Sequence, residues 1–92
     1  KHDQEIQFKV NARRNKLLGQ WAATKLGMTG AAADAYAKSV VEADFDRPGD
    51  DDVVEKVAKD LAAKGVKVAA GDVRKEMDRL LAVAKEQIAK SL

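Results

Sequence analysis

Apolar positions recur at helical spacing in four blocks, separated by breaks that carry glycine or the single proline. The last block is the clearest. Val73, Met77, Leu80, Leu81, Ala84 and Ile88 fall within about 100° of arc, the width of a core-facing helix, and predict a helix from Ala70 to about Lys90. Before it, Val53, Val54, Val57, Ala58 and Leu61 predict a helix that begins at a cap on Gly49 or Asp50 and runs to Lys64, with Gly65 as its stop. Asp51 and Asp52 lie in its first turn, where the helix dipole favours a carboxylate by about 0.3–1 kcal/mol. A shorter helix, Gly30 to about Ala43, has Thr29 as its N-cap and Ala33, Tyr36, Ala37 and Val40 on its inner face. Phe45, just past that end, is expected to fold back as a hydrophobic plug, and the acidic Asp46–Asp52 stretch around Pro48 reads as a turn.

The first block differs from the others. Ile6, Val10, Leu17 and Trp21 share one narrow arc, which predicts a helix from His2 to Leu26 with Gly27 as a left-handed C′ residue. Beyond Lys16 the apolar face widens to take in Leu18, Ala22 and Leu26, with Trp21 expected in the core; before it, one apolar residue per turn stands among polar neighbours. Such a helix is about 36 Å long, more than a domain of this size needs. The expectation is an uneven element, its second half packed and residues 1–16 projecting. Gly19, in its interior, reads as a point of close approach by a neighbouring helix, ahead of a hinge. Short connections make consecutive helices antiparallel neighbours. The fold expected is all-α, a four-helix bundle forming one domain over residues 1–92, with the long N-terminal helix partly projecting.

Composition agrees and adds a polarity. A core of Leu, Val and Ala with one Trp favours closely packed helices over a β-sandwich. The net charge of +2 conceals segregation: residues 1–27 hold six Lys/Arg against two acids, and residues 42–55 hold seven acids against Arg47 alone. Such polarity orients a protein on a partner without pointing to nucleic acid. The chain has no cysteine and one histidine, so disulfides, thiolate chemistry and a His-rich zinc site within one chain are excluded. No apolar run is long enough to span a bilayer, and no signal-peptide core opens the sequence, which makes the cytoplasm the expected location.

Few residues suggest chemistry. The segment Asp44–Glu55 imitates a calcium-binding loop, with Asp at positions one, three and nine, Gly at six and Glu at twelve. Pro48 at position five has no ligating side chain, and Asp51 takes the usual apolar place at position eight. An acidic turn before a helix N-terminus accounts for every one of these residues, and neither a metal site nor a cofactor is expected. The cluster Arg13, Arg14, Lys16 could meet a phosphate, alone or beside Trp21, but no glycine-rich loop or aromatic interleaving accompanies it. The stem of Arg14 lies near the apolar stripe and could equally pack under an acidic neighbour. His2 stands at a helix end with no pocket, and Ser39 and Ser91 have no base beside them, so no catalytic residue is expected. Phe8, off the stripe, either packs against a helix end or is exposed to a partner.

His2-Asp3, Phe8-Lys9, the block Ala12-Arg13-Arg14-Asn15-Lys16-Leu17-Leu18-Gly19, Trp21-Ala22-Ala23, Ala35-Tyr36-Ala37, Val40-Val41, Asp44-Phe45 and Pro48-Gly49-Asp50 together resemble the zeta subunit of alphaproteobacterial ATP synthases over nearly the whole chain. The resemblance implies a four-helix bundle without enzymatic activity that inhibits ATP hydrolysis by the catalytic head. In that family an N-terminal segment inserts as a helix between a catalytic alpha–beta pair and the gamma shaft and blocks hydrolytic rotation. Carried onto this chain, the inhibitory segment comprises Lys1, His2, Asp3, Glu5, Ile6, Phe8, Lys9, Val10, Arg13, Arg14 and Lys16. The implied partners are the alpha, beta and gamma subunits, with the protein cytoplasmic and peripheral to the inner membrane through the synthase, without nucleic acid and without direct membrane insertion. Family members have further residues upstream of the His-Asp pair that are central to inhibition, so the chain from Lys1 is expected to fold and to inhibit weakly or not at all. Ala69-Ala70-Gly71 replaces the family's Ser/Thr-type cap, and fraying is expected there. The alternative, from another class, is a nucleotide-sensing module in which Arg13, Arg14 and Trp21 contact the ligand.

Overall fold

Four helices follow in order, α1 (His2–Lys25), α2 (Gly30–Asp46), α3 (Asp50–Ala63) and α4 (Ala70–Ser91). They come from a computed structural model that describes residues 2–46 and 49–92, with side chains from residue 4 onward. The turn expected at Arg47 and Pro48 lies outside the described residues. Helix α1 packs on α2, α3 and α4, and α3 packs on α2 and α4, closing a four-helix bundle of 42 × 27 × 23 Å. The all-α architecture expected from periodicity is the one observed.

Both glycine stops are used in the same way. Gly27 and Gly65 adopt φ of +77° and +76°, which only glycine enters without cost. After α1, Met28 N–H donates to Ala23 C=O at 2.9 Å and Gly27 N–H to Thr24 C=O at 3.1 Å. After α3, Val66 N–H donates to Leu61 C=O at 2.9 Å and Gly65 N–H to Ala62 C=O at 3.0 Å. These are paired Schellman bonds, and they satisfy the carbonyls left over at the two helix ends. Val66 and Val68 then pack onto the core, so the third connection is anchored.

Two clusters make the interior. The larger joins Leu18 and Ala22 of α1 to Val40, to Val53, Val54, Val57 and Leu61 of α3, and to Val73, Met77 and Leu80 of α4. The smaller holds Val10 of α1 against Ala84 and Ile88 near the end of α4, with Ile6, Leu17 and Leu81 at its edge. The predicted inner faces of α3 and α4 are therefore the observed ones.

Three expectations change. Helix α2 runs three residues beyond Ala43, so Phe45 lies in its last turn; it is exposed and stacks on Phe8 instead of plugging the core. The buried face of α1 is turned by about a third of a turn from the Ile6–Val10–Leu17–Trp21 stripe. Val10, Arg14, Asn15, Leu18, Gly19, Ala22 and Ala23 are buried, while Leu17 and Trp21 stand at the edge, with Lys25 Nζ 5.1 Å from the Trp21 ring. The cause is the small-residue face. A Cβ on Gly19 would lie 2.5 Å from Ala37 Cα, so α2 approaches where Gly19, Ala22 and Ala23 leave room, not where the bulkiest side chains stand. Finally, packing of α1 begins at Val10 and not after Lys16, because α4 is long enough for Ala84 and Ile88 to reach it.

Candidate functional site

The residues singled out on α1 divide into an exposed set and a locked set. Gln4, Glu5, Gln7, Phe8 and Lys9 are exposed, and among them only Ile6 is half-buried, at the edge of the smaller cluster. His2 lies in the helix, but its side chain, that of Asp3 and the whole of Lys1 are outside the described residues. Over these first turns the helix presents Glu5, Lys9 and one large apolar side chain, Phe8, 54% exposed.

From Val10 onward the helix is fixed. Val10 is buried against α4, and Arg13 Nη1 donates to Gln87 Oε1 on α4 at 2.8 Å. Arg14 is only 3% exposed, and its guanidinium donates to Asn15 Oδ1 at 3.0–3.1 Å and to Asp50 Oδ1 at 2.9 Å. Asn15, also buried, donates through Nδ2 to Asp44 Oδ2 at 3.1 Å, and Asp44 Oδ1 in turn accepts from Gly49 N–H at 3.2 Å. One guanidinium and one amide thus tie α1 to the end of α2 and the start of α3. Their burial is tolerated because the guanidinium and the amide are hydrogen-bonded; no buried side-chain polar atom among the described residues lacks a partner.

Val10 and Arg14, expected in the partner-binding segment, are therefore withdrawn from the surface. Arg14 turns its Nε and Nη2 to Asn15 and Asp50. Arg13 points to α4 and Trp21 lies under Lys25, so the three residues suggested for nucleotide contact do not converge on one cradle. Lys16 is exposed.

The acidic stretch is largely used within the fold. Asp50 answers Arg14, Asp51 pairs with Arg74 of α4, and Asp50, Asp51 and Asp52 fill the first turn of α3 beside its free N–H groups. Its segregation from the basic N-terminal third is an internal complementarity as much as an external polarity. Among the described residues no three His, Asp or Glu side chains gather into a metal-binding group.

Asn15, Asp44 and Phe45 were not expected at this site. Asn15 had a legible signal, since it lies three and seven residues before Leu18 and Ala22 and so shares their face. Phe45 stacks on Phe8 with ring centroids 5.3 Å apart and planes tilted by 30°. The two phenyl rings, with Asn11, Ala12 and Asp44, line a recess of about 210 Å³. Nothing local announces this contact, which depends on the register of α2 along α1.

A solved structure determined by solution NMR is 47% identical to this chain, with a TM-score of 0.81, covering 95% of this chain and 99% of that one. Comparison with curated proteins gives no match. The family profile described as ATPase inhibitor subunit zeta matches residues 1–87. The match spans nearly the whole chain, and the chain belongs to the ATPase inhibitor subunit zeta family.

Proposed function

We propose that this protein inhibits ATP hydrolysis by the catalytic head of an F-type ATP synthase, without chemistry of its own. The first turns of α1 enter a catalytic alpha–beta/gamma interface and block rotation in the hydrolytic direction. Membership of an ATPase inhibitor family supports the inhibition, and among the described residues no helix is long and apolar enough to cross a membrane. The protein then acts in the cytoplasm, held at the inner membrane only through the synthase.

The observation that carries the insertion step is the sharp change at Val10. Before it lies a helical segment with Phe8 exposed and a single half-buried anchor, Ile6; after it, the helix is tied to the other three. An amphipathic helical end with one aromatic knob suits a groove on a partner. Lifting it breaks few buried contacts, so the cost of presenting it is small. Lys1, His2, Asp3, Glu5, Ile6, Phe8 and Lys9 form the inserted part. Arg13 and Lys16 meet the rim, and Val10 and Arg14 hold the base of the segment on the bundle.

The test is ATP hydrolysis by isolated catalytic head with increasing amounts of the native full-length protein. Turnover falls to a plateau, and Phe8→Ala raises the half-inhibitory concentration several-fold while the far-UV circular dichroism is unchanged. Turnover that stays constant at saturating protein refutes inhibition. Equal potency of the Phe8→Ala variant refutes the inserted segment.

A further inference from the structure

The inserted segment of the proposed function must leave the bundle, and among the described residues Phe45 of α2 stacks on its exposed part. Phe8 and Phe45 are the two exposed phenylalanines of the chain, each 54% exposed, and they touch each other. A lone exposed aromatic ring on each of two helices would be ordinary. Two that stack across a helix pair, at the end of the bundle where α1 has almost no other hold, form a contact with a position. The end of α2 that carries Phe45 is itself held rigid, because the neighbouring Asp44 accepts from both Asn15 and Gly49. The ring of Phe45 therefore sits on a tied helix end, whereas the segment bearing Phe8 is held by Ile6 and by that ring.

Resting on the proposed function, we infer that Phe45 is a catch that holds the inhibitory segment on the bundle by occupying Phe8, so the bundle and the ATPase compete for one side chain. Two anchors of unequal kind hold Gln4–Lys9. Ile6 contributes burial against the Val10–Ala84–Ile88 cluster, and Phe8 contributes ring contact on a surface open to water. The ring contact yields first, since both rings are half exposed to water. When it opens, the helix peels only as far as Val10, where the Arg14–Asp50 and Asn15–Asp44 bonds begin. The arm thus has a defined length, and its resting state is docked on its own chain. The potency of the inhibitor then depends on a residue that never touches the ATPase.

The experiment uses Phe45→Ala and Phe45→Tyr in the otherwise intact chain, with two independent readings. Amide hydrogen exchange of the free protein is measured first. Phe45→Ala speeds exchange of the amides of residues 6–9 by about two- to tenfold, the factor that an aromatic pair contributes, and leaves those from Leu18 to Ala23 unchanged; Phe45→Tyr keeps the wild-type rates. Inhibition of isolated catalytic head is measured second, and Phe45→Ala lowers the half-inhibitory concentration by a similar factor. Unchanged exchange at residues 6–9 in Phe45→Ala overturns the catch whether or not the protein inhibits. Faster exchange with potency unchanged or reduced overturns the competition. If wild-type protein fails to inhibit, the proposed function falls, and the exchange rates still decide whether Phe45 holds the segment.

Discussion

Replacing Gly19 by alanine sets two physical effects against each other. Helix propensity alone favours the change, since alanine in a helix interior is about 0.8–1 kcal/mol better than glycine. The tertiary contact opposes it. The new Cβ would stand 2.5 Å from Ala37 Cα, 3.1 Å from Ala37 Cβ and 3.3 Å from Ala37 O, where carbon atoms pack best at about 3.5–4.0 Å. The closest atom is backbone, so no rotamer change relieves the overlap, and α1 and α2 must separate by about 1 Å. That separation loosens Leu18, Ala22 and Val40, all fully buried, and strains the 3.1 Å bond from Asn15 to Asp44. Overpacking costs about 1–3 kcal/mol, and an overlap this close with a backbone atom falls in the upper part of that range, about 2–3 kcal/mol. The net is a destabilisation of about 1–2 kcal/mol, or a fall in Tm of about 4–15 °C for a domain of this size. Thermal unfolding followed by circular dichroism at 222 nm reads it. Gly71→Ala is the control, a helical glycine in α4 with no atom within 4 Å of the added Cβ; it leaves Tm unchanged or raises it. Adding Ala37→Gly to Gly19→Ala restores only part of the loss, because Ala37 Cα remains. A Gly19→Ala protein as stable as the wild type would refute the close approach.

Ala69 caps α4 in an extended conformation, φ −73° and ψ 153°, without a side-chain bond; Ala69→Ser therefore raises stability by about 0.5–2 kcal/mol in urea unfolding, and an unchanged midpoint counts against it. Burial, then the hydrogen bond to Asp60 and the negative charge of Asp60, push the Tyr36 phenol above its ordinary pKa of 10.0. The neutral phenol thus contributes stability that is complete below about pH 10 and lost as pH climbs toward the raised native value. The stability difference between wild type and Tyr36→Phe accordingly shrinks above pH 10 in urea titrations run from pH 7 to 11, and a difference constant across that range excludes the linkage. Asp50→Ala leaves the buried Arg14 guanidinium without its charge partner and costs about 1–2 kcal/mol, less than a fully buried pair would because Asp50 is 55% exposed. Arg14→Leu removes the buried charge but takes both donors from the buried Asn15 Oδ1, so it costs about 1–3 kcal/mol; an unchanged midpoint in urea unfolding counts against that contact.

Much of this protein is written in its local pattern. The period-3.6 stripes of α3 and α4 name their buried faces, with Ala58 and Leu81 at the edges, and Gly27 and Gly65 end their helices because a left-handed turn is needed there and only glycine enters it freely. Those choices are made within a few residues and survive any arrangement of neighbours. The site is different, because it depends on which face of α1 the other helices select. A stripe weighted by the largest apolar side chains points to Leu17 and Trp21, but helices approach most closely over small residues, so Gly19, Ala22 and Ala23 bring α2 onto the adjoining face. That rotation buries Arg14 and Asn15, which is tolerable only because Asp44 and Asp50, about thirty or more residues away in sequence, arrive to bond them. The same register sets Phe45 beside Phe8 and places the boundary of the exposed segment at Val10. Periodicity fixes what each helix can bury; the tertiary structure alone decides what it meets, since partners distant in sequence exert no force until the chain has folded.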